Sequence, residues 1–310
     1  MRVAGIRSFG GEVETFDVEE PRPLAADEVL IDVRCAGIGN WDNIIRHGGW
    51  DVGVSPPLAL GVEAAGIIRA VGADSGDFSI GDHVMCHPVP LRDQGTWAPY
   101  VIARAELLAR KPPGVSWETA AIFPGPALTA EQVLEEALAL QRGEKLLVHG
   151  AGGITGGLIV QLATLRGADV LATAGPRNAE RVRRYGARHV IDYHDPLWPQ
   201  RARAFAKGPV DAVANAAPTG AAAAMTALAD GGRLATITPD TPTPGRGIRV
   251  ISVYARSDGA QLVALAELLG AGRLTMPAPR SYRLDQAGLA LGRVVAGHET
   301  DGAVITPAQS

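Results

Sequence analysis

Apolar and polar residues alternate at period two over 28–35, which predicts a strand with one face on a core. Residues 64–71 and 83–86 repeat that texture around a Gly81-Asp82 turn, and proline pairs at 56–57 and 112–113 punctuate the stretch. Many short strands without a helical period predict a small antiparallel barrel in the first hundred residues. Near residue 116 the period changes. Ser116 is placed to cap a helix with Glu118 in its first turn. Residues 127–140 then set Leu128, Val133, Leu134 and Leu138 on one side against Glu131, Gln132, Glu135 and Glu136 on the other. From there strands at 145–149, 169–174, 189–192, 210–214 and 233–237 are interleaved with helices at 156–166, 178–185 and 220–228. Parallel neighbours need crossovers, so this alternation predicts a doubly wound parallel sheet. A Pro/Gly/Thr loop at 239–247, a strand at 248–254 and a helix at 259–269 follow, and the tail returns to short β-like pieces. The expected organisation is α/β plus β: a β domain made of 1–116 and 248–310, with an α/β domain of 117–247 inserted.

Composition narrows the class. Of 310 residues, 46% are hydrophobic and 20% charged, enough for a sizeable core and against wholesale disorder. A net charge of −4 without any Lys/Arg-rich block argues against nucleic acid as a main partner. No uninterrupted apolar run is long enough to span a membrane, and MRVAGIRSFG lacks the apolar stretch of a secretory signal. Cys35 and Cys86 form no C-x-x-C motif, which fits neither a disulfide framework nor a zinc ribbon. The expectation is a soluble cytoplasmic protein.

The most informative stretch runs from Leu146 through His149-Gly150-Ala151-Gly152-Gly153-Ile154-Thr155-Gly156-Gly157. A buried strand enters a glycine cluster that opens a helix. Gly150 permits a tight turn, Gly152 and Gly153 let backbone approach a pyrophosphate, and Gly156 lets the helix pack on the strand. The helix N-terminus, with Ile154 and Thr155 in its first turn, offers free N–H groups to the anion. Three residues rather than two separate Gly152 from Gly156, but the strand–loop–helix setting is the one a dinucleotide needs. The second strand ends Thr173-Ala174-Gly175 with no carboxylate to bind a ribose 2′-hydroxyl. Arg177 follows instead, with Asn178 and Arg181 close behind, and a cation there favours a 2′-phosphate and hence NADPH. Solvated helix arginines are the alternative reading.

Several landmarks occur in a fixed order: Ala36-Gly37-Ile38, Asp42, Ile45-Arg46; Gly61-Val62-Glu63-Ala64-Ala65-Gly66; Gly81-Asp82-His83-Val84; Gly95-Thr96-Trp97-Ala98; Leu128-Thr129-Ala130; the loop at 150–156; Tyr185-Gly186-Ala187; and Asp230-Gly231-Gly232-Arg233. With them the chain resembles the medium-chain dehydrogenase/reductase superfamily, specifically its zinc-free, zeta-crystallin-like quinone oxidoreductase branch. The resemblance implies a GroES-like catalytic domain, a Rossmann domain and a nicotinamide in the cleft between them. It implies that Tyr193 borders the adenosine phosphate beside Arg177, and that Thr129 and Asn215 flank the nicotinamide. It also implies a homodimer joined at the strand 248–254. Gly39 and Val62 stand where the zinc-dependent relatives ligate metal, although Glu63 remains, and no metal is expected. Gly39 and Ile44 also stand where many quinone reductases of this branch place an Asn and a Tyr.

The expected chemistry is hydride transfer from NADPH to a quinone or an α,β-unsaturated carbonyl, with a donor for the charge that develops on oxygen. Asn43 and His47, beside Arg46, Trp41 and Trp50, are the candidate catalytic groups, with ordinary helix and surface roles as the alternative. A second reading keeps the fold and reduces an enoyl thioester, as trans-acting enoyl reductases do. A third is a non-catalytic NADPH-binding protein.

Overall fold

The computed structural model describes residues 1–307 and divides into two compact units, 1–125 with 256–310, and 126–255. Both divisions fall about eight or nine residues later than the sequence pattern places them. The reason at the second boundary is the strand Arg249–Ser252, which pairs in parallel with Leu228–Thr236 and so completes the sheet of the second unit.

That second unit holds six parallel strands: β1 (Lys145–His149), β2 (Asp169–Thr173), β3 (His189–Ile191), β4 (Val210–Asn215), β5 (Leu228–Thr236) and β6 (Arg249–Ser252), in the order β3-β2-β1-β4-β5-β6. This is the order of a dinucleotide-binding sheet, in which the direction of winding reverses beside β1. Helices α1 (Ile154–Leu165), α2 (Pro176–Arg184), α3 (Trp198–Phe205) and α4 (Ala221–Met225) make the crossovers. The centre of the sheet is apolar on both faces: Leu147, Leu171, Val213 and Leu234 are buried with Trp198, Ala202 and Ala224 from the helices. Strands covered on both sides need such continuous apolar runs. β5 begins at Leu228, ahead of the expected residue 233. Its register on β4 shifts between Val210 and Ala212, and Gly231 takes a left-handed φ of 74°, so an irregular start precedes the regular ladder.

The first unit is organised by the eleven-residue strand Glu28–Ile38, which pairs antiparallel with Ala64–Val71, Tyr100–Arg104 and Ala303–Thr306. Further strands extend this to a seven-stranded sheet, and a three-stranded sheet of Glu14–Asp17, Arg2–Ile6 and Leu58–Ala59 lies apart from it. Only the pair Arg280–Arg283 and Ala303–Thr306 runs parallel here among the described residues. Ser116 caps the helix Trp117–Ala121 as expected, accepting from the Thr119 N–H. The long helix expected over 127–140 is Pro124–Gln132 followed by a π-helical turn, Val133–Ala137.

Candidate functional site

The C-terminal ends of β1, β2 and β4 converge on the glycine loop. Gly150 turns with φ 88°, and a Cβ there would come within 2.7 Å of the Ala216 carbonyl carbon. At Gly156 an added Cβ would lie 2.3 Å from the Gly150 carbonyl oxygen, so only glycine lets α1 begin this close to the turn. Gly152 backs onto the Asn178 amide, whereas a Cβ at Gly153 would meet only the Gly150 carbonyl oxygen, at an ordinary contact distance of 3.7 Å. Gly153 is the N-cap of α1 and no side chain caps it, so the N–H groups at Ile154 and Thr155 are available to an anion. The loop thus has the close packing behind and the openness in front that a pyrophosphate requires.

Around this loop the second strand ends in Ala174 and Gly175, the latter N-capping α2. Tyr193, 47% exposed, lies 3.6 Å from the Cβ position of Gly175 and packs against His194 with ring centroids 4.2 Å apart. His194 in turn bonds Asp192 at 2.6 Å. Two of the four arginines of α2 differ in what they touch. Arg181 donates to the Gly152 carbonyl (2.8 Å) and to Asn178 Oδ1 (3.1 Å), which ties it to the loop. Arg177 is exposed on the first turn of α2, beside the end of β2. Gly150, Gly152, Gly153, Ile154, Thr155 and Gly156 thus lie in the turn after β1 and the start of α1, while Ala174, Gly175 and Arg177 lie at the end of β2 and the start of α2, with Tyr193 against Gly175.

On the other side Asn215 is buried at the end of β4, and its amide nitrogen, with two N–H groups to give, lies within hydrogen-bond distance of Ala217 O, Thr236 Oγ1, Thr238 Oγ1 and Asp240 Oδ1. Asp240 Oδ2 accepts the N–H of Ala221 at the start of α4. Asn215 is therefore the knot of the loops after β4 and β5. Thr129 sits half-buried on the helix Pro124–Gln132.

Sequence reasoning passed over His149, the last residue of β1. It is buried, stacks on Trp198 with centroids 4.5 Å apart and planes 4° from parallel, and bonds Thr173 Oγ1 (2.7 Å) and Thr219 O (3.0 Å). Burial pushes its pKa down, against the hydrogen bond to Thr219 O and the charge of Asp240, which favours the uncharged imidazole. The available signal was a polar residue closing an otherwise apolar strand directly before the glycine turn.

In the first unit, Asn43 lies on the helix Asn40–Arg46 and His47 follows it as the C-cap. His47 is exposed; its Nδ1–H donates to Asn43 O (2.8 Å), and its Nε2 accepts from Arg46 (3.1 Å). Asn43 Oδ1 accepts from Arg46 Nε, which leaves its amide N–H groups to donate, and Trp41 Nε1 on the same helix is buried without a hydrogen-bond partner. Beneath them Asp42 is wholly buried, accepting from Gly39 N at 2.8 Å with Oδ2, while Oδ1 has no hydrogen-bond partner. Burial raises its pKa to about 7. Glu63 is also buried, takes the N–H of Gly125 at 2.9 Å, and is pushed well above the usual carboxylate range by burial and by Asp42. His87 is buried, bonded to Val62 O, and driven down to about 4.

At Gly39, a Cβ would fall 2.1 Å from Trp41 Cε2, so the indole fills the space that a ligating side chain would need. Among the described residues no group of three or more His, Cys, Asp or Glu side chains is arranged to hold a metal ion. No helix among them is long and apolar enough to cross a membrane.

Comparison with known proteins agrees with this architecture. The alcohol dehydrogenase GroES-like domain model matches residues 25–113, and the zinc-binding dehydrogenase model matches 185–305. The solved quinone oxidoreductase of Coxiella burnetii is 25% identical, with 99% of both chains covered and a TM-score of 0.82. The chain belongs to the medium-chain dehydrogenase/reductase superfamily. Within it, the chain stands with the quinone-oxidoreductase-like branch. Another neighbour of this oxidoreductase, a mycobacterial protein solved in complex with NADPH, shares 25% identity over 99% of this chain and 100% of that one, with a TM-score of 0.85. The phthioceranic/hydroxyphthioceranic acid synthase of Mycobacterium tuberculosis is 31% identical over 95% of this chain but only 15% of its own length. The trans-enoyl reductase RAP2 of Pyricularia oryzae is 33% identical over 60% of this chain and 54% of its own. The chain thus spans about half, or much less, of the length of these curated relatives. A nicotinamide cofactor follows from the family, and the loop at 150–156 fits one.

Proposed function

We propose that this oxidoreductase is an NADPH-dependent, zinc-independent reductase of conjugated carbonyl compounds, quinones or enones. The observation that carries the reading is the site at the end of β1 and β2: an open glycine turn, an uncapped helix N-terminus, and Arg177 where a carboxylate would select NADH. NADPH, when bound, supplies the hydride. Gly150, Gly152, Gly153 and Gly156 shape the turn, while the N–H groups of Ile154 and Thr155 hold the pyrophosphate. Ala174 and Gly175 keep the strand end free of bulk, and Arg177 and Tyr193 receive the adenosine phosphate. Thr129 and Asn215 flank the nicotinamide. Asn43 offers its amide to the substrate oxygen, where a donor stabilises the enolate or oxyanion. His47 is the second candidate, and to donate from Nδ1 it must give up its bond to Asn43 O. A second copy of the chain joins at residues 248–254, where β6 ends the sheet and Tyr254 is 82% exposed.

A second reading, reduction of an enoyl thioester, is favoured by the trans-enoyl reductase relative and by the absence of a Tyr at position 44. The test is NADPH oxidation at 340 nm with 1,4-benzoquinone, 1,4-naphthoquinone, a simple enone and crotonyl thioester. Turnover of the quinones or the enone supports the first reading. Turnover of the thioester alone moves the assignment to the second. Tight NADPH binding with no turnover on any of them contradicts both and leaves a binding protein.

A further inference from the structure

The hydrogen bonds of His149 have a direction. Thr219 O can only accept, so the proton sits on Nε2, and Nδ1 of the uncharged ring is an acceptor. The Thr173 hydroxyl must then donate to Nδ1, at 2.7 Å. Its oxygen lone pairs are left to receive the N–H of Gly150, at 3.1 Å. The chain Gly150 N–H to Thr173 to His149 to Thr219 joins the ends of β1 and β2 to the loop after β4. Each of its members is consistent with only one arrangement of protons. Trp198 fixes the plane of the ring from one side. Gly220, with φ 100°, lies so close that a Cβ there would be 2.5 Å from His149 Nε2. The bond from Gly150 N–H to the Thr173 hydroxyl thus adds a side-chain tie to the backbone bond from Ala151 N–H to Thr173 O, and His149 orients that hydroxyl.

We propose that His149 is a positioning residue for the dinucleotide: by orienting the Thr173 hydroxyl it holds Gly150, and with it the open glycine turn, in the conformation that accepts the pyrophosphate. The proposal rests on the reading of 150–156 as the dinucleotide site.

The test compares full-length wild type with His149→Phe, which keeps a ring on Trp198 but removes both hydrogen bonds. His149→Gln can still accept from Thr173 and donate to Thr219, and Thr173→Val deletes the hydroxyl at constant shape. NADPH affinity is read by the fluorescence of the bound nucleotide, with melting temperature measured alongside. His149→Phe and Thr173→Val are each expected to weaken NADPH binding about tenfold. The double variant should be no weaker than either alone, and His149→Gln should recover most of the affinity. In steady state the loss appears in KM for NADPH, with kcat at saturation little changed. Affinity equal to wild type in a folded His149→Phe or Thr173→Val variant overturns the proposal, as do fully additive losses. If His149→Phe does not fold, Thr173→Val decides alone. Wild-type protein that binds no dinucleotide overturns the site reading itself, a result distinct from variants that bind as well as wild type.

Discussion

Asp42 and Glu63 are carboxyl groups sealed inside the first unit, and burial governs how they answer pH. Because the Asp42 pKa rises from 3.8 to about 7 on folding, the folded state holds its proton more tightly than the unfolded chain. Its contribution is therefore fully present below about pH 4 and is lost as pH rises toward 7. His87 acts in the opposite sense. With a pKa lowered from 6.5 to about 4, its contribution is present above pH 6.5 and fades as pH falls toward 4. Asp42→Asn, which cannot ionise, should match wild type below about pH 4, gain on it as pH rises, and exceed it at pH 8 by roughly 3–5 kcal/mol. Urea melts across that range check it, and a constant difference between the two proteins would contradict the burial argument. The capping role of Asp42 was legible, since an acid three residues after Gly39 reaches back to its N–H. Its burial was not, because nothing local announces that Trp41 folds over Gly39. His149 escaped notice for a related reason: its partners Thr173 and Thr219 come from distant segments, and only the sheet brings them together.

The strand–loop–helix element at 145–165 separates two uses of glycine. Gly156→Ala drives a Cβ against the Gly150 carbonyl, a rigid neighbour, and should destabilise the protein by about 1–3 kcal/mol. Gly153→Ala meets nothing closer than 3.7 Å. It should leave the melting temperature unchanged while weakening NADPH binding, because the added methyl faces the ligand side. Equal thermal effects from the two substitutions would show that packing does not distinguish them. These elements were largely readable from periodicity, because buried parallel strands are nearly continuous apolar runs. The errors came where non-local pairing decides. Leu228 joins the sheet through a register shift on β4, and Arg249–Ser252 belongs to the second unit because it pairs with β5. Neither pairing leaves a trace in the hydropathy of the segment itself. The same holds for the parallel pairing of Arg280–Arg283 with Ala303–Thr306.

At the scale of the whole molecule, membership of the superfamily was legible in the order of its landmarks, and the strand order of the second unit agrees with it. The substrate was not legible. The positions where the family resemblance implies polar groups read Gly39 and Ile44 here, so neither offers a polar side chain to an acceptor. The proposed choice of NADPH turns on α2, where Arg181 is tied to Gly152 and Arg177 is exposed two residues after Gly175. The most direct measurement is the affinity of NADPH and NADH for wild type and Arg177→Ala, titrated side by side by nucleotide fluorescence. Wild type should prefer NADPH by about tenfold or more. Arg177→Ala should remove most of that preference while leaving NADH binding nearly unchanged. Equal affinity for the two nucleotides in wild type, or equal losses for both in the variant, would contradict the assignment of Arg177 to the phosphate and of NADPH to this protein.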